Sequence, residues 1–205
     1  MVKDPNQSTY TYGAVVELTA NADPGWSFDH WSGDLTGTDN PDTIVMDGDK
    51  TVTATFKEHT IVSILPSAQI VSKGETFDVS VYVEPGEPIT GITLGKLSFN
   101  ATLIHANSVI LEGFFDPYST TFSNGTINNI NGEIIDIYEA TSPINNVSTD
   151  GYFCNISFTA QQEFGTSELD LDGVILSDEG GSPVPLIVNN GSVIIPEIIS
   201  VISIL

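Results

Sequence analysis

The sequence predicts an all-β protein, and three observations carry that prediction. Apolar residues recur at every second position in several segments, helical periodicity is nearly absent, and tight-turn dipeptides punctuate the chain. In "TVTATF", Thr51 to Phe56, threonines alternate with Val52, Ala54 and Phe56. In "TFDVSVYV", Thr76 to Val83, one face carries Phe77, Val79, Val81 and Val83. Asp47-Gly48, Asn124-Gly125, Asn131-Gly132, Asp150-Gly151, Asp172-Gly173 and Asn190-Gly191 tolerate the positive φ of hairpin turns. Short strands between such turns build a β-sandwich.

Composition narrows the function. The chain has 205 residues, 40% of them hydrophobic, enough for one or two cores. It carries 27 acids against 5 lysines and no arginine, a net charge of -22. Phosphate contacts need cations, so nucleic acid is excluded as a partner and an anionic membrane surface is disfavoured. Dispersed acids serve solubility. The sharper alternative is that some bind calcium, a hard cation that takes oxygen ligands. Asp170, Asp172 and Asp178, with Glu179, are weak candidates in "LDLDGVILSDEGG"; a solvated turn is the plainer reading.

Cys154 is the only cysteine, so no internal disulfide forms. In "GYFCNISFTA", Cys154, Ile156, Phe158 and Ala160 share one strand face, which makes the thiol a small buried hydrophobe rather than a nucleophile. Asn6, Asn100, Asn124, Asn146, Asn155 and Asn190 open Asn-x-Ser/Thr sequons. They fit a surface protein but also arise by chance in so Asn- and Ser-rich a chain. No apolar leader segment is visible at "MVKDPNQSTY", as expected of a piece of a longer polypeptide. At the other end, "VIIPEIISVISIL" is broken by Pro196 and Glu197 and is shorter than the ~20 residues of a membrane span. Residues 197–205 read as a linker or tail.

A boundary falls near "FKEHTIV". Both tryptophans precede it, and Ile- and Val-rich strands follow. Residues 1–58 and 59–196 are the expected domains. The junction lacks Gly and Pro, so it is expected to be short and stiff.

"FDHWSGDLTGTDNP", Phe28 to Pro41, concentrates polar chemistry. His30 with Asp29 and Asp34 suggests a metal, yet zinc sites usually combine several His or Cys ligands. Asp34, Asp39 and Asp42 lack the spacing of a calcium loop. Ser32 beside His30 is not a triad, which needs an oriented base and an oxyanion hole. The structural reading explains more: Pro24-Gly25 turns the chain, and Trp26, Phe28 and Trp31 supply the aromatic core of a small domain. No catalytic residue is assigned, and the chain is read as a non-enzyme.

The same stretch carries a resemblance. Leu18-Thr19-Ala20, Pro24 to Asp34 ("PGWSFDHWSGD"), Asn40-Pro41, Met46 and Val52 to Phe56 follow the pattern of the divergent internalin-type B-repeat of bacterial and archaeal surface proteins. The resemblance covers residues ~10–57 and implies a small β-rich, β-grasp-like spacer or adhesion module with no known catalysis.

The second domain resembles a cohesin along nearly its whole length. "GETFDVSVYVEPGEPITGITLGKLSF" has the order of the opening cohesin strands, "LIHANSVILEG" and "TTFSNGTINNINGEIIDIYEA" continue it, and "STDGYFCNISFTA" and "GTSELDLDGVILSDEGGSPVPLIVNNGSVII" supply the last strands. The resemblance implies a jelly-roll sandwich that binds dockerins, calcium-stabilised two-helix modules, through one sheet. Mapped here, that face carries Lys96 and Ser98, Asn124 and Thr126, Ile135 and Ile137 from Glu133 to Glu139, and Val174 and Leu176. Calcium would then sit on the dockerin rather than on this chain. One departure bears on specificity: the apolar phase breaks at Gly95, which predicts a bulge that turns Lys96 and Ser98 away from the core side of Leu97 and Phe99. In "EIIDIYE", Ile134, Ile135 and Ile137 cannot all face one way on a regular strand, so either both faces are buried or one presents apolar residues to a partner.

The expectation is an extracellular or cell-surface scaffold module that binds a dockerin-containing protein. Its rivals are a carbohydrate-binding module, with Phe114, Phe115, Tyr118, Tyr138 and Tyr152 as candidate platform aromatics for a polysaccharide, and a purely structural spacer or adhesin.

Overall fold

The computed structural model describes residues 1–141, 145–161 and 163–197. The predicted linker or tail therefore lies outside the described residues from position 198 onward. Every regular element described is a strand, and the chain divides into two compact units, Met1–His59 and Thr60–Leu205.

In the first unit, β1 (Val2–Asp4), β2 (Ala14–Thr19) and β4 (Asp42–Met46) form one sheet, and β3 (Trp26–Gly33) pairs with β5 (Val52–Glu58). The core gathers Val16, Leu18, Ala20, Ile44 and Trp31, with Phe28, Val52, Ala54 and Phe56 packed against it. Trp26 departs from expectation: it is 43% exposed, whereas Trp31 is 1% exposed. Trp26 stands at the first position of β3, and a register shift between Phe28 and His30 lets Phe28 and Trp31, three apart, turn to the same side. Their rings meet at 5.0 Å, and Phe56 stands edge-on to Phe28 at 6.2 Å.

The second unit is a sandwich. Its five-stranded sheet runs in the order β10 (Ile104–Leu111), β13 (Gly151–Ala160), β8 (Thr76–Glu84), β6 (Thr60–Leu65) and β15 (Leu186–Asn189). Its six-stranded sheet runs β11 (Ser119–Asn128), β12 (Glu133–Thr141), β9 (Gly91–Ser98), β14 (Gly165–Ser177), β16 (Gly191–Ile195) and β7 (Ala68–Ile70). The first segment of the unit serves both layers: β6 lies parallel to β15 in one sheet and β7 parallel to β16 in the other. All other pairings are antiparallel among the described strands of this unit. Phe77, Val79, Val81 and Val83 all face the core, as do Cys154, Ile156, Phe158 and Ala160. Phe153 also turns inward, made possible by a register shift between Tyr152 and Cys154. Burial pushes the Cys154 thiol up to about 12, so it does not ionise near neutral pH.

The expected break at Gly95 is one part of a larger feature. Buried Leu94 and Leu97 lie three apart on β9, as do Ile134 and Ile137 on β12, and Leu171 and the half-buried Val174 on β14. A regular strand would send such pairs to opposite faces. The pairing register omits Asp136, Gly95 and Gly173 together, and Gly125 on β11 likewise. These four positions line up across four adjacent strands. A conventional bulge sets two residues against one; here every strand yields one residue, so the register is kept and the phase of all four strands reverses together. Asp136 holds φ 61°, Gly125 φ 78° and Gly173 φ 63°. Aspartate is among the few side chains that tolerate this region. Gly95 is required by crowding instead: a Cβ there would lie 3.1 Å from the Gly173 carbonyl oxygen.

Glu139 is the anomalous core residue. It lies on the inward side of β12 and is 3% exposed, and its Oε2 has no hydrogen-bond partner. Burial raises its pKa, nearby Ser119 opposes that, and Asp116 adds to the rise.

Two outcomes follow. Gly125→Ala is expected to cost ~2–4 kcal/mol in denaturant unfolding, through positive-φ strain and overpacking, because its Cβ would fall 2.7 Å from Ile137 Cγ1. Gly181→Ala, with φ 76° but open space around it, is expected to cost only ~1–2 kcal/mol. For Glu139, a folded pKa above the unfolded one means stability is intact at low pH and is lost as pH rises through the folded value. Glu139→Gln is therefore expected to stabilise the protein by about 1 kcal/mol at neutral pH, with the gain vanishing as pH falls below the ordinary glutamate range in thermal melts.

Candidate partner-binding face

The outer face of β11, β12, β9 and β14 is set by registered rows. One row runs Asn128–Glu133–Ser98–Asp170 and the next Thr126–Ile135–Lys96–Asp172. Beyond the phase break lie Ser123–Tyr138–Thr93–Ile175 and Thr121–Ala140–Gly91–Ser177. The break thus divides the face chemically. The first two rows hold Glu133, Asp170 and Asp172 with Lys96 as their single cation, and exposed Asp136 sits on the break itself. The two rows beyond it are uncharged and present Ile175, 53% exposed, beside half-buried Tyr138 and Thr93.

Local hydrogen bonds hold the acids in place. Asn131 Nδ2 donates to Glu133 Oε1 at 2.9 Å, Asn190 Nδ2 to Asp170 Oδ1 at 2.9 Å, and the Gly173 amide to Asp172 Oδ1 at 2.9 Å. Lys96 Nζ stands 3.6 Å from Asp172 Oδ2, an exposed pair worth little in itself.

Lys96, Ser98, Thr126 and Ile135 face outward together, on neighbouring strands. Ile137 and Leu176 do not: each is 0% exposed and belongs to the core, and Val174 packs against that core. The reversal of phase is the reason, since it carries Ile137 to the side of Ile134 and leaves Ile135 alone outside. Asn124 is turned toward the other sheet, where its Nδ2 donates to the Val109 carbonyl at 3.1 Å. Glu133, which opens the expected segment, lies there too, and Asp170, Asp172, Thr93, Tyr138 and Ile175 join the face without having been expected there. The signal that finds them is the Asp-Gly at 172–173, if it is taken as a strand irregularity opposite Gly95 rather than as a hairpin turn.

The other candidates resolve as structure. Asp170 and Asp172 lie on this face, whereas Asp178 accepts the Ser182 amide at 2.8 Å in the turn after β14, so the three are not one cluster. Among the described residues no group of three or more His, Cys, Asp or Glu is placed to hold a metal. His30 Nδ1 pairs with Asp29 Oδ2 at 2.6 Å, and this hydrogen bond, helped by Lys57, lowers the Asp29 pKa. Asp34 Oδ2 accepts the Thr51 amide, Trp31 Nε1 donates to the Asp39 carbonyl, and Asn40 brackets the Ala20 amide and carbonyl. "FDHWSGDLTGTDNP" is therefore a strand and turn pinned by its own polar groups. The candidate aromatics are dispersed: Phe115 is 0% exposed, Phe114 stands against it at 85° and lines a groove with exposed Tyr152, Tyr118 is exposed in the segment before β11, and Tyr138 lies on the other sheet from Tyr152. Tyr152 meets Tyr82 edge-on, at 66°.

Comparison with known proteins agrees with both halves of this description. Residues 2–60 match the family model described as the divergent InlB B-repeat domain. No curated protein matches the chain. Among solved structures, the cohesin of a type I cohesin–dockerin complex from Clostridium thermocellum is similar with a TM-score of 0.58 at 16% identity, over 68% of this chain and 100% of that one. The seventh type I cohesin from Pseudobacteroides cellulosolvens gives 0.55 at 18% identity, over 71% and 97%. A non-cellulosomal cohesin from the archaeon Archaeoglobus fulgidus gives 0.51 at 20% identity, over 68% and 92%. The chain thus joins a first unit that matches the divergent InlB B-repeat domain model to a β-sandwich with the cohesin fold.

Proposed function

We propose that the second unit is a non-catalytic docking module that binds a dockerin through the outer face of β11, β12, β9 and β14. The observation that carries this reading is the face itself: four adjacent strands present an outer surface with charge on one side of the phase break and uncharged, partly apolar rows on the other. Several cohesins of the same fold are recorded in complex with dockerins, which supports the assignment. An uncharged patch around Ile175 and Tyr138 supplies desolvated area, and the acidic rows favour a partner with lysine or arginine opposite them. The B-repeat domain then serves as a spacer or adhesion unit, and the assembly belongs on the outside of a cell or on its surface. The low cation count supports a proteinaceous partner over nucleic acid.

Titration calorimetry of the whole chain against dockerins encoded by the same genome tests this. Saturable one-to-one binding that chelation of calcium abolishes is expected; absence of binding to every such dockerin would reduce the likeness to architecture. Ile135→Asp is expected to weaken binding by ~2 kcal/mol, about thirtyfold. Asp172→Lys is expected to slow association and flatten its salt dependence, because it reverses a steering charge; stopped-flow measurements at two ionic strengths read this directly.

A further inference from the structure

We propose that a groove at the seam between the two sheets binds an alkylammonium group, the side chain of a lysine on a partner. The groove has a volume of about 320 Å³ and lies between β10 and β11, the end strands of their sheets. Ile110 and Phe122, 56% and 63% exposed, stand at its rim, and Leu111 completes an apolar wall. Buried Glu139 lines the groove with no well-formed hydrogen bond to Oε2, and the buried Ser119 hydroxyl, likewise without one, stands close enough to oppose the rise of the Glu139 pKa. Asn124 lines the same groove; its Nδ2 is committed to Val109, which leaves Oδ1 free to accept. Asp116 adds negative charge.

The composition selects the occupant. An unpaired buried carboxylate is costly until a cation reaches it. A calcium ion takes six to eight oxygens, usually with several carboxylates, and among the described residues no group of three or more His, Cys, Asp or Glu is placed to hold a metal. An ammonium needs only three acceptors, which Glu139 Oε2, Ser119 Oγ and Asn124 Oδ1 supply, while the hydrocarbon stem of lysine matches the apolar wall. The groove opens on the inward side of β11, away from the outer face, so the inference stands apart from dockerin docking.

The test is a titration of the 15N-labelled chain with Nα-acetyl-lysine N-methylamide, followed by amide shifts. Saturable shifts are expected at Leu111, Ser119, Phe122 and Glu139, with none from the uncharged acetyl-norleucine N-methylamide. Glu139→Gln, which keeps the shape and should retain the native spectrum, is expected to weaken binding at least about tenfold. Equal shifts from the norleucine compound, saturation of the same amides by calcium chloride, or unchanged binding in Glu139→Gln would each overturn the proposal.

Discussion

Four strands of one sheet must reverse their inward and outward sides at the same level, and most of the second unit depends on their doing so together. A phase change in a single strand would either bury polar groups or expose apolar ones, because a one-residue slip exchanges the two faces. Here Gly125, Asp136, Gly95 and Gly173 each surrender one residue in the same row, so hydrogen-bonded partners stay opposite each other. Leu94 and Leu97, Ile134 and Ile137 can then all reach one core. The conformational demand falls on residues suited to it: Gly125 and Gly95, where a Cβ would crowd side chain or backbone, and Gly173 and Asp136, which hold the left-handed region.

The same row shapes the surface. It leaves a strip of backbone without bulky side chains across the middle of the outer face. On one side of that strip the acids accept hydrogen bonds from asparagine and backbone donors. On the other side the rows carry no charge. A partner that spans the strip meets two chemistries in a set order, which is a means of fixing orientation as well as affinity.

Polar groups inside the molecule divide by whether they find partners. In the first unit Trp31, Asn40 and Asp34 are satisfied by backbone groups, and the segment that looks reactive becomes a tied turn. In the second, Asn129 brackets the amide and carbonyl of Ala106 and helps fasten β11 to β10. Glu139 and Ser119 are the contrast, since their unpaired atoms line an open groove.

Alternation and turn residues were enough to establish the all-β class, the inward faces of β8 and β13, and the outward turn of Lys96 and Ser98 after Gly95, because period-two burial is a local property of a strand. The B-repeat and cohesin likenesses were legible for a related reason: both rest on the order of short motifs along the chain. Placement of Ile137, Val174, Leu176 and Asn124 was not legible. Their facing depends on irregularities at Asp136, Gly173 and Gly125 that are matched across strands distant in sequence, and a dipeptide such as Asp-Gly reads equally as a hairpin turn. Nor was it legible how Phe28 and Trp31 come to share a side, which depends on a shift of register at Asp29. The seam groove with Glu139 belongs wholly to the tertiary structure, since only the packing of two sheets brings Ile110, Ser119, Phe122 and Glu139 together.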